Sequence, residues 1–361
     1  MKNKHDNDNT FWITYWIIAA VMLGLVGTLS ARLAFAGSDA GEYSNRNKFT
    51  FALWGDMPYL KPGEADTQTP KIAPLIADIN AAKVAFTVFD GDIKSGSSSC
   101  TNDVYATAVD YFNMFKSPMV YVPGDNEWTD CHRTNNGGYN NLERLSYIRL
   151  AMAVSPISFG QNGFALERHG PAGGLYAENV RWRYGDVMFV GLNVPGSNNN
   201  LVKAGECLSS KSVRTQADCD ADMAEYLARD AANIQFLRAS FAQAKVENAV
   251  GLMVVIQADP GFDLPETETV NEHTFPGYEG YTAFLSALSG ETANFNGQVV
   301  MAHGDTHFFK VDKPLAIQAN LLKNFTRVET FGSPNIHWVK VSVDTRSRNV
   351  FSFEPMIVPG N

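Results

Sequence analysis

Positive charge is scarce in this 361-residue chain: 29 lysines and arginines face 38 aspartates and glutamates, a formal net charge of −9. A polyanion is repelled by such a surface, which excludes a nucleic acid duplex as a partner. A small anionic substrate can bind only where a cation supplies positive charge locally. Internal repeats and low-complexity linkers are absent, and a 45% hydrophobic content argues against disorder. The length suffices for one large core, so a single α/β domain over residues 37–361 is the expected organisation.

Long apolar runs are missing except at the N-terminus. There Lys2 and Lys4 precede an apolar stretch from Phe11 to Leu29, followed by Ala34-Phe35-Ala36. The pattern is that of an export signal over residues 1–36, cleaved to leave a mature chain starting near Gly37. An uncleaved anchor is the alternative, since the run can cross a bilayer, and it would be the protein's one tie to a membrane. Both readings put the remainder outside the cytoplasm, secreted or periplasmic. Cysteine is also rare. The four present, Cys100, Cys131, Cys207 and Cys219, make an even count that favours two disulfides in an exported chain. Cys207 and Cys219 close a short local loop, and Cys100 and Cys131 then tie two longer ones.

Seven short apolar runs rich in β-branched and aromatic residues read as buried strands: Phe49–Trp54, Val84–Phe89, Met119–Val122, Val187–Leu192, Leu252–Ile256, Val299–Ala302 and His337–Val343. Helical spacing appears between them, in Ile72, Leu75, Ile76 and Ile79, in Val104, Ala108, Phe112 and Phe115, and in Leu227, Ala231, Ile234, Leu237 and Phe241. Strands alternating with helices imply parallel or mixed sheets covered on both faces.

The endings of the strands repeat one chemistry. Gly55-Asp56, Gly91-Asp92, Gly124-Asp125-Asn126-Glu127, Gln257-Ala258-Asp259 and Gly304-Asp305-Thr306-His307 each come directly after an apolar run. Singly, Asp and Gly are ordinary turn residues. As a set they matter, because loops after strand carboxyl ends gather at one edge of an α/β sheet. Carboxylates gathered there cannot all stay ionised without a counter-charge, which divalent cations provide.

The order of these motifs resembles that of the calcineurin-like metallophosphoesterases over nearly the whole mature chain. The resemblance implies a sandwich of two mixed β-sheets flanked by helices, two divalent metal ions, and a small phosphate-ester substrate. In that family a metal-bound hydroxide attacks phosphorus in line. Carried onto this sequence, the metal ligands are Asp56, Asp92, Asp125, Gln257, Asp305 and His307, with Asp92 shared between the ions.

This chain departs from the family in one direction. Pro58 stands where the first histidine would be, Asp125 replaces an asparagine ligand, Asn126 the catalytic histidine, Gln257 or Asp259 another histidine, and Asp305 the first histidine of the last motif. Carboxylates in place of imidazoles harden the site, favouring magnesium, manganese or calcium over zinc. The tyrosine that purple acid phosphatases carry after the second motif is here Ser95, and Tyr59 is the one local tyrosine.

The catalytic candidates are Asn126, Asp125 and His303. Asn126 cannot protonate a leaving alkoxide, and His303 is the stand-in, with His132 a weaker one. Asn193 and the run from Pro195 to Asn199 are candidates for a substrate wall, and Trp128 and Trp338 for stacking faces. Two functions are compatible with this set: an exported metal-dependent hydrolase of phosphomonoesters or phosphodiesters, or an exported binding module on the same scaffold with little or no catalysis.

Overall fold

The computed structural model describes residues 47–203, 205–262, 275–317 and 320–361. The expected signal segment lies outside the described residues. No helix among them is long and apolar enough to cross a membrane.

The seven apolar runs all form strands: β1 (Lys48–Trp54), β2 (Thr87–Phe89), β3 (Met119–Tyr121), β6 (Val187–Gly191), β7 (Gly251–Val255), β8 (Gln298–His303) and β13 (Trp338–Asp344). Seven more strands join them: β4 (Glu167–Arg168), β5 (Val180–Tyr184), β9 (Lys310–Asp312), β10 (Ala316–Ile317), β11 (Asn320–Leu321), β12 (Phe325–Glu329) and β14 (Phe351–Met356). Several of these are short or half exposed, so they lack the continuous apolar signature of a strand buried on both faces.

Two mixed sheets result. The five-stranded sheet runs β14-β13-β1-β2-β3, with β1, β2 and β3 parallel and β13 antiparallel to β1. The seven-stranded sheet runs β4-β5-β6-β7-β8-β12-β9, with β6, β7, β8 and β12 parallel. Strands β10 and β11 pair separately.

The sheets share a core to which Phe51, Leu53, Val88 and Val341 of one and Phe189, Met253, Val300 and Val328 of the other contribute. Phe86, just before β2, stacks on Phe51 at 4.7 Å and meets Phe189 edge-on at 5.1 Å. Helices cover the outer faces. Ile72, Leu75, Ile76 and Ile79 of α1 (Thr69–Ala81) pack on the first sheet with α2 (Asn102–Asn113) and α3 (Asn141–Met152). Helices α4 (Gln216–Val246) and α5 (Thr282–Ala293) cover the second.

Helix α4 differs from its sequence reading. Leu227 and Ala231 face solvent, whereas Asp222, Arg229, Asp230 and Asn233 are buried. The cause is the loop beneath: the Arg229 guanidinium donates to the Asn193 carbonyl at 2.9 Å and to the Asn199 carbonyl at 2.8 Å. Polar residues here satisfy backbone groups that an apolar face would orphan. Farther along, Leu237 and Phe241 pack in the core as expected.

Both disulfides are present, Cys100–Cys131 and Cys207–Cys219. The first joins the loop after β2 to the loop after β3.

Truncating Phe86→Ala removes a fully buried ring from between the sheets. It is expected to lower unfolding free energy by about 3–5 kcal/mol, measured by urea denaturation in the presence of chelator.

Candidate metal centre

The parallel strands of both sheets end at the same edge, and their loops meet there. Asp56 and Asp92 follow β1 and β2, and both are buried at positive φ, 52° and 64°. Such a backbone costs about 1–3 kcal/mol at a residue other than glycine and persists where surroundings over-determine it. The Tyr59 hydroxyl lies between them, donating to Asp92 Oδ2 at 2.7 Å and standing 3.3 Å from Asp56 Oδ1. The Asn126 amide donates to the Tyr59 oxygen at 3.0 Å and to Asp92 Oδ2 at 2.5 Å, while the Asn126 backbone N–H binds Asp92 Oδ1.

The glycines before the aspartates permit this closeness. A Cβ on Gly124 would fall 2.2 Å from Asp92 Oδ1, and one on Gly304 would fall 1.9 Å from Asp56 Oδ2.

From the second sheet come Gln257 after β7 and Asp305 and His307 after β8. The Asp305 backbone N–H points at both Asp56 oxygens, 3.2 and 3.3 Å away, so the sheets are joined at the site itself. Gln257 accepts from the Gly196 N–H at 2.6 Å, and its amide lies 3.4 Å from Asp305 Oδ1. A Cβ at Gly196 would sit within 2.8 Å of Asp125 Oδ2 and 3.0 Å of Asp305 Oδ1, so these two carboxylates flank one small space. Asp56, Asp92, Asp125, Asp305, Gln257 and His307 therefore share a single locus.

Its electrostatics are those of crowded acids. Burial, then the charges of Asp125 and Asp56, push the Asp92 and Asp305 carboxyls well above the usual range. Burial and Asp56 do the same to Asp90, beneath the site. Asp130 is pushed up to about 7 by burial and Asp125, against the pull of Arg133. The Ser197 hydroxyl lies 2.7 Å from both Asp125 Oδ2 and Asp130 Oδ1, yet has one hydrogen to give. Protein cations are few here; Lys94 is buried and its ammonium donates to the Ser95 carbonyl.

His307 is poised differently. Its Nδ1 donates to the Ser333 carbonyl at 2.7 Å, which leaves Nε2 facing Asp56 Oδ1 at 3.3 Å. Burial opposes its charge, but the hydrogen bond and charge of Asp56 outweigh it and raise its pKa. A backbone carbonyl on one ring nitrogen is the support a metal-binding histidine commonly has on its far side. The donor set is rich in oxygen with one imidazole, and buried acceptors such as Glu127 Oε2 lack a hydrogen-bond partner among the described residues. These residues fit hard divalent cations.

Two mixed sheets packed face to face, with the Gly-Asp loops of both meeting at one edge, make the helix-flanked α/β sandwich that the sequence leads one to expect. Solved structures similar to this chain include PhoD (TM-score 0.48, 10% identity, covering 87% of this chain and 67% of PhoD). Another is the purple acid phosphatase PPD1 from yellow lupin seeds (0.46, 12%, 85% of this chain and 53% of that one). A third is GAP50, the anchor in the inner membrane complex of Plasmodium (0.40, 13%, 87% and 90%). The chain thus spans about half the length of the lupin protein. No protein-family model and no curated protein matches the sequence.

Other candidates lie elsewhere on this scaffold. His303 is fully buried, its Nδ1 on the Gly304 carbonyl and its Nε2 3.5 Å from the Arg327 guanidinium. No hydrogen bond among the described residues links it to Asp56, Asp92, Asp125 or Asp305. Asp259, His303 and Glu329 form a second buried group, with ligand atoms within 4.8 Å of one another. Arg327 stands among them, 3.8 Å from Asp259 and 3.9 Å from Glu329, and supplies the balancing charge. His132 pairs with Ser212, and burial with Arg214 and Arg133 lowers its pKa to about 3.

Trp128 lies fully buried under Arg229, and Trp338 donates to Asp78; neither offers a stacking face. Asn193 is buried and its amide donates to Glu178, so it forms no wall. Ser197, by contrast, reaches Asp125, and sequence reading names it only as part of a loop. Asp130 escapes sequence reading altogether, although it lies shortly after Asp125 in the same loop.

Carboxyls raised in the fold bind protons more tightly there than in the unfolded chain. Their contribution is present at low pH and lost as pH rises through the folded value. For Asp130 that window runs from about 4, its unfolded value, to about 7. The metal-free protein is therefore expected to lose stability as pH rises from about 4 to 7. Asp305→Asn should raise its pH 7 midpoint and forfeit the gain that added Mn²⁺ gives the parent. Urea unfolding with chelator and with Mn²⁺ checks both.

Proposed function

We propose that this chain is an exported, metal-dependent hydrolase of phosphomonoesters or phosphodiesters. One observation carries the reading: carboxylates from four separate loops crowd a buried locus that protein cations leave uncompensated. Asp56, Asp92 and His307 would hold one ion; Asp92, Asp125, Asp305 and Gln257 would hold the other. Magnesium, manganese or calcium suits this set better than zinc. Ions bound there supply Lewis-acid stabilisation to phosphate oxygens and to an attacking water. The two disulfides and the N-terminal sequence support export.

The chain's own residues position rather than protonate. Asn126 fixes Asp92 through both its backbone N–H and its amide, and an amide has no proton to give a departing alkoxide. Tyr59 braces the same carboxylate from the other side. Departure therefore depends on the leaving group's own acidity. Asn126 is also the observation favouring the second reading, a binding module, for which metal would bind without turnover.

The mature protein with Mg²⁺ or Mn²⁺ is expected to hydrolyse 4-nitrophenyl phosphate. Asp92→Asn should cut that rate about 100-fold or more, since weaker supporting contacts to a metal already cost 10–100-fold. Absence of turnover in folded, metal-loaded protein would refute the hydrolase. Across aryl phosphates, kcat should climb steeply as the pKa of the leaving phenol falls; a flat dependence would mean that another group donates the proton.

A further inference from the structure

A cavity of about 390 Å³ opens beside Asp305, and its walls include Ser197, Arg133 and Lys203. One wall is a left-handed turn: Ser197, Asn198, Asn199 and Asn200 all have positive φ, between 50° and 63°. Four such residues in a row are costly without glycine, and the surroundings hold them. The Asn198 side chain accepts from the Gly280 N–H at 2.8 Å, Asn199 donates to the Gly280 carbonyl at 2.9 Å, and Arg229 donates to the Asn199 side-chain oxygen at 2.6 Å. The turn is a rigid wall between the acid cluster and the outer part of the cavity.

The cations on that wall are differently engaged. Arg133 is paired with Asp130, and it donates to Ser197 Oγ at 3.1 Å. Lys203 is half-buried, and among the described residues its ammonium has no ion pair or hydrogen bond. It lies against the backbone at Gly277, where a Cβ would come within 2.6 Å of Nζ. Of the nearby acids, Glu206 accepts from the Lys203 backbone N–H, and Glu279 accepts from the Gly277 N–H at 2.7 Å and feels the Lys203 charge, which helps hold its carboxyl below the usual range. Glu279 acts on that ammonium only through its charge, so with no hydrogen-bond acceptor of its own among the described residues the ammonium can take an incoming anion directly.

We infer that Lys203, which lines the same cavity as Arg133, binds a second anionic group on the substrate, a carboxylate or a further phosphate borne by the leaving portion. This rests on the hydrolase reading and narrows its substrates to phosphate esters anionic at both ends. Lys203 touches that remote group and not the reacting atoms, so it governs specificity.

The test compares phenyl phosphate with 4-carboxyphenyl phosphate and 1,4-phenylene bisphosphate in the Mn²⁺-loaded protein. The doubly anionic esters should show the higher kcat/KM. Lys203→Met should reduce that preference about tenfold, the size of one charge-assisted contact, and Lys203→Arg should restore most of it. A preference for one probe alone names the group. Equal loss on all three substrates, or an unchanged preference, overturns the inference. If the parent hydrolyses none of them, the hydrolase reading fails separately. Calorimetric binding of benzylphosphonate and 4-carboxybenzylphosphonate to parent and Lys203→Met then decides, with no preference for the carboxylate overturning the inference.

Discussion

Mutual repulsion among buried carboxylates is the constraint around which this molecule is arranged. Asp56, Asp92, Asp125 and Asp305 come from four loops and two sheets, and burial together with one another's charge drives Asp92 and Asp305 far from their ordinary acidity. Much of the local architecture keeps them in place. Positive φ at Asp56, Asp92, Asp305 and His307, side-chain-free glycines at the points of closest approach, and Tyr59 wedged between two acids all oppose the tendency of like charges to separate. The cost is local, and the interdigitated core between the sheets bears it.

The layout of this site was legible in the sequence to the extent that strand endings dictate it. Apolar runs buried on both faces announce themselves, and each of the seven is a strand. Residues just past the carboxyl end of such a strand lie at the sheet edge by topology alone, so Asp56, Asp92, Asp125, Gln257 and Asp305 could be grouped without coordinates. The half-exposed strands β5 and β14 carry arginine, serine and glutamate among their apolar residues, and periodicity misses them. Helix α4 misleads in its first half for a related reason: the buried face there serves backbone carbonyls instead of a core, and no hydrophobic pattern reports hydrogen-bonding demand.

Histidines were the harder part. His303 sits on a strand that points toward the site in sequence, but its side chain falls on the face turned to Arg327. One-residue alternation decides that outcome, and the register of β8 against β12, which pairs His303 with Glu329, is a tertiary fact. Tyr59 shows the opposite case. Nothing in the spacing of Asp56-Met57-Pro58-Tyr59 singles out its hydroxyl, which reaches Asp92 across 33 positions of chain.

The left-handed turn at Ser197–Asn200 is anchored from behind, by Arg229 in helix α4 and by Gly280, so most of its placement does not depend on the segment that joins it to α4. That segment has ties of its own, since Cys207 is bonded to Cys219, the Lys211 carbonyl accepts from the Thr134 N–H and Arg214 pairs with Asp222, so length changes fit at its exposed tip around Leu208 to Ser210, where loop-closure entropy changes slowly with length. Related chains could differ at that tip while keeping the same wall beside the acids, a route by which one scaffold acquires new outer surfaces without rebuilding its centre.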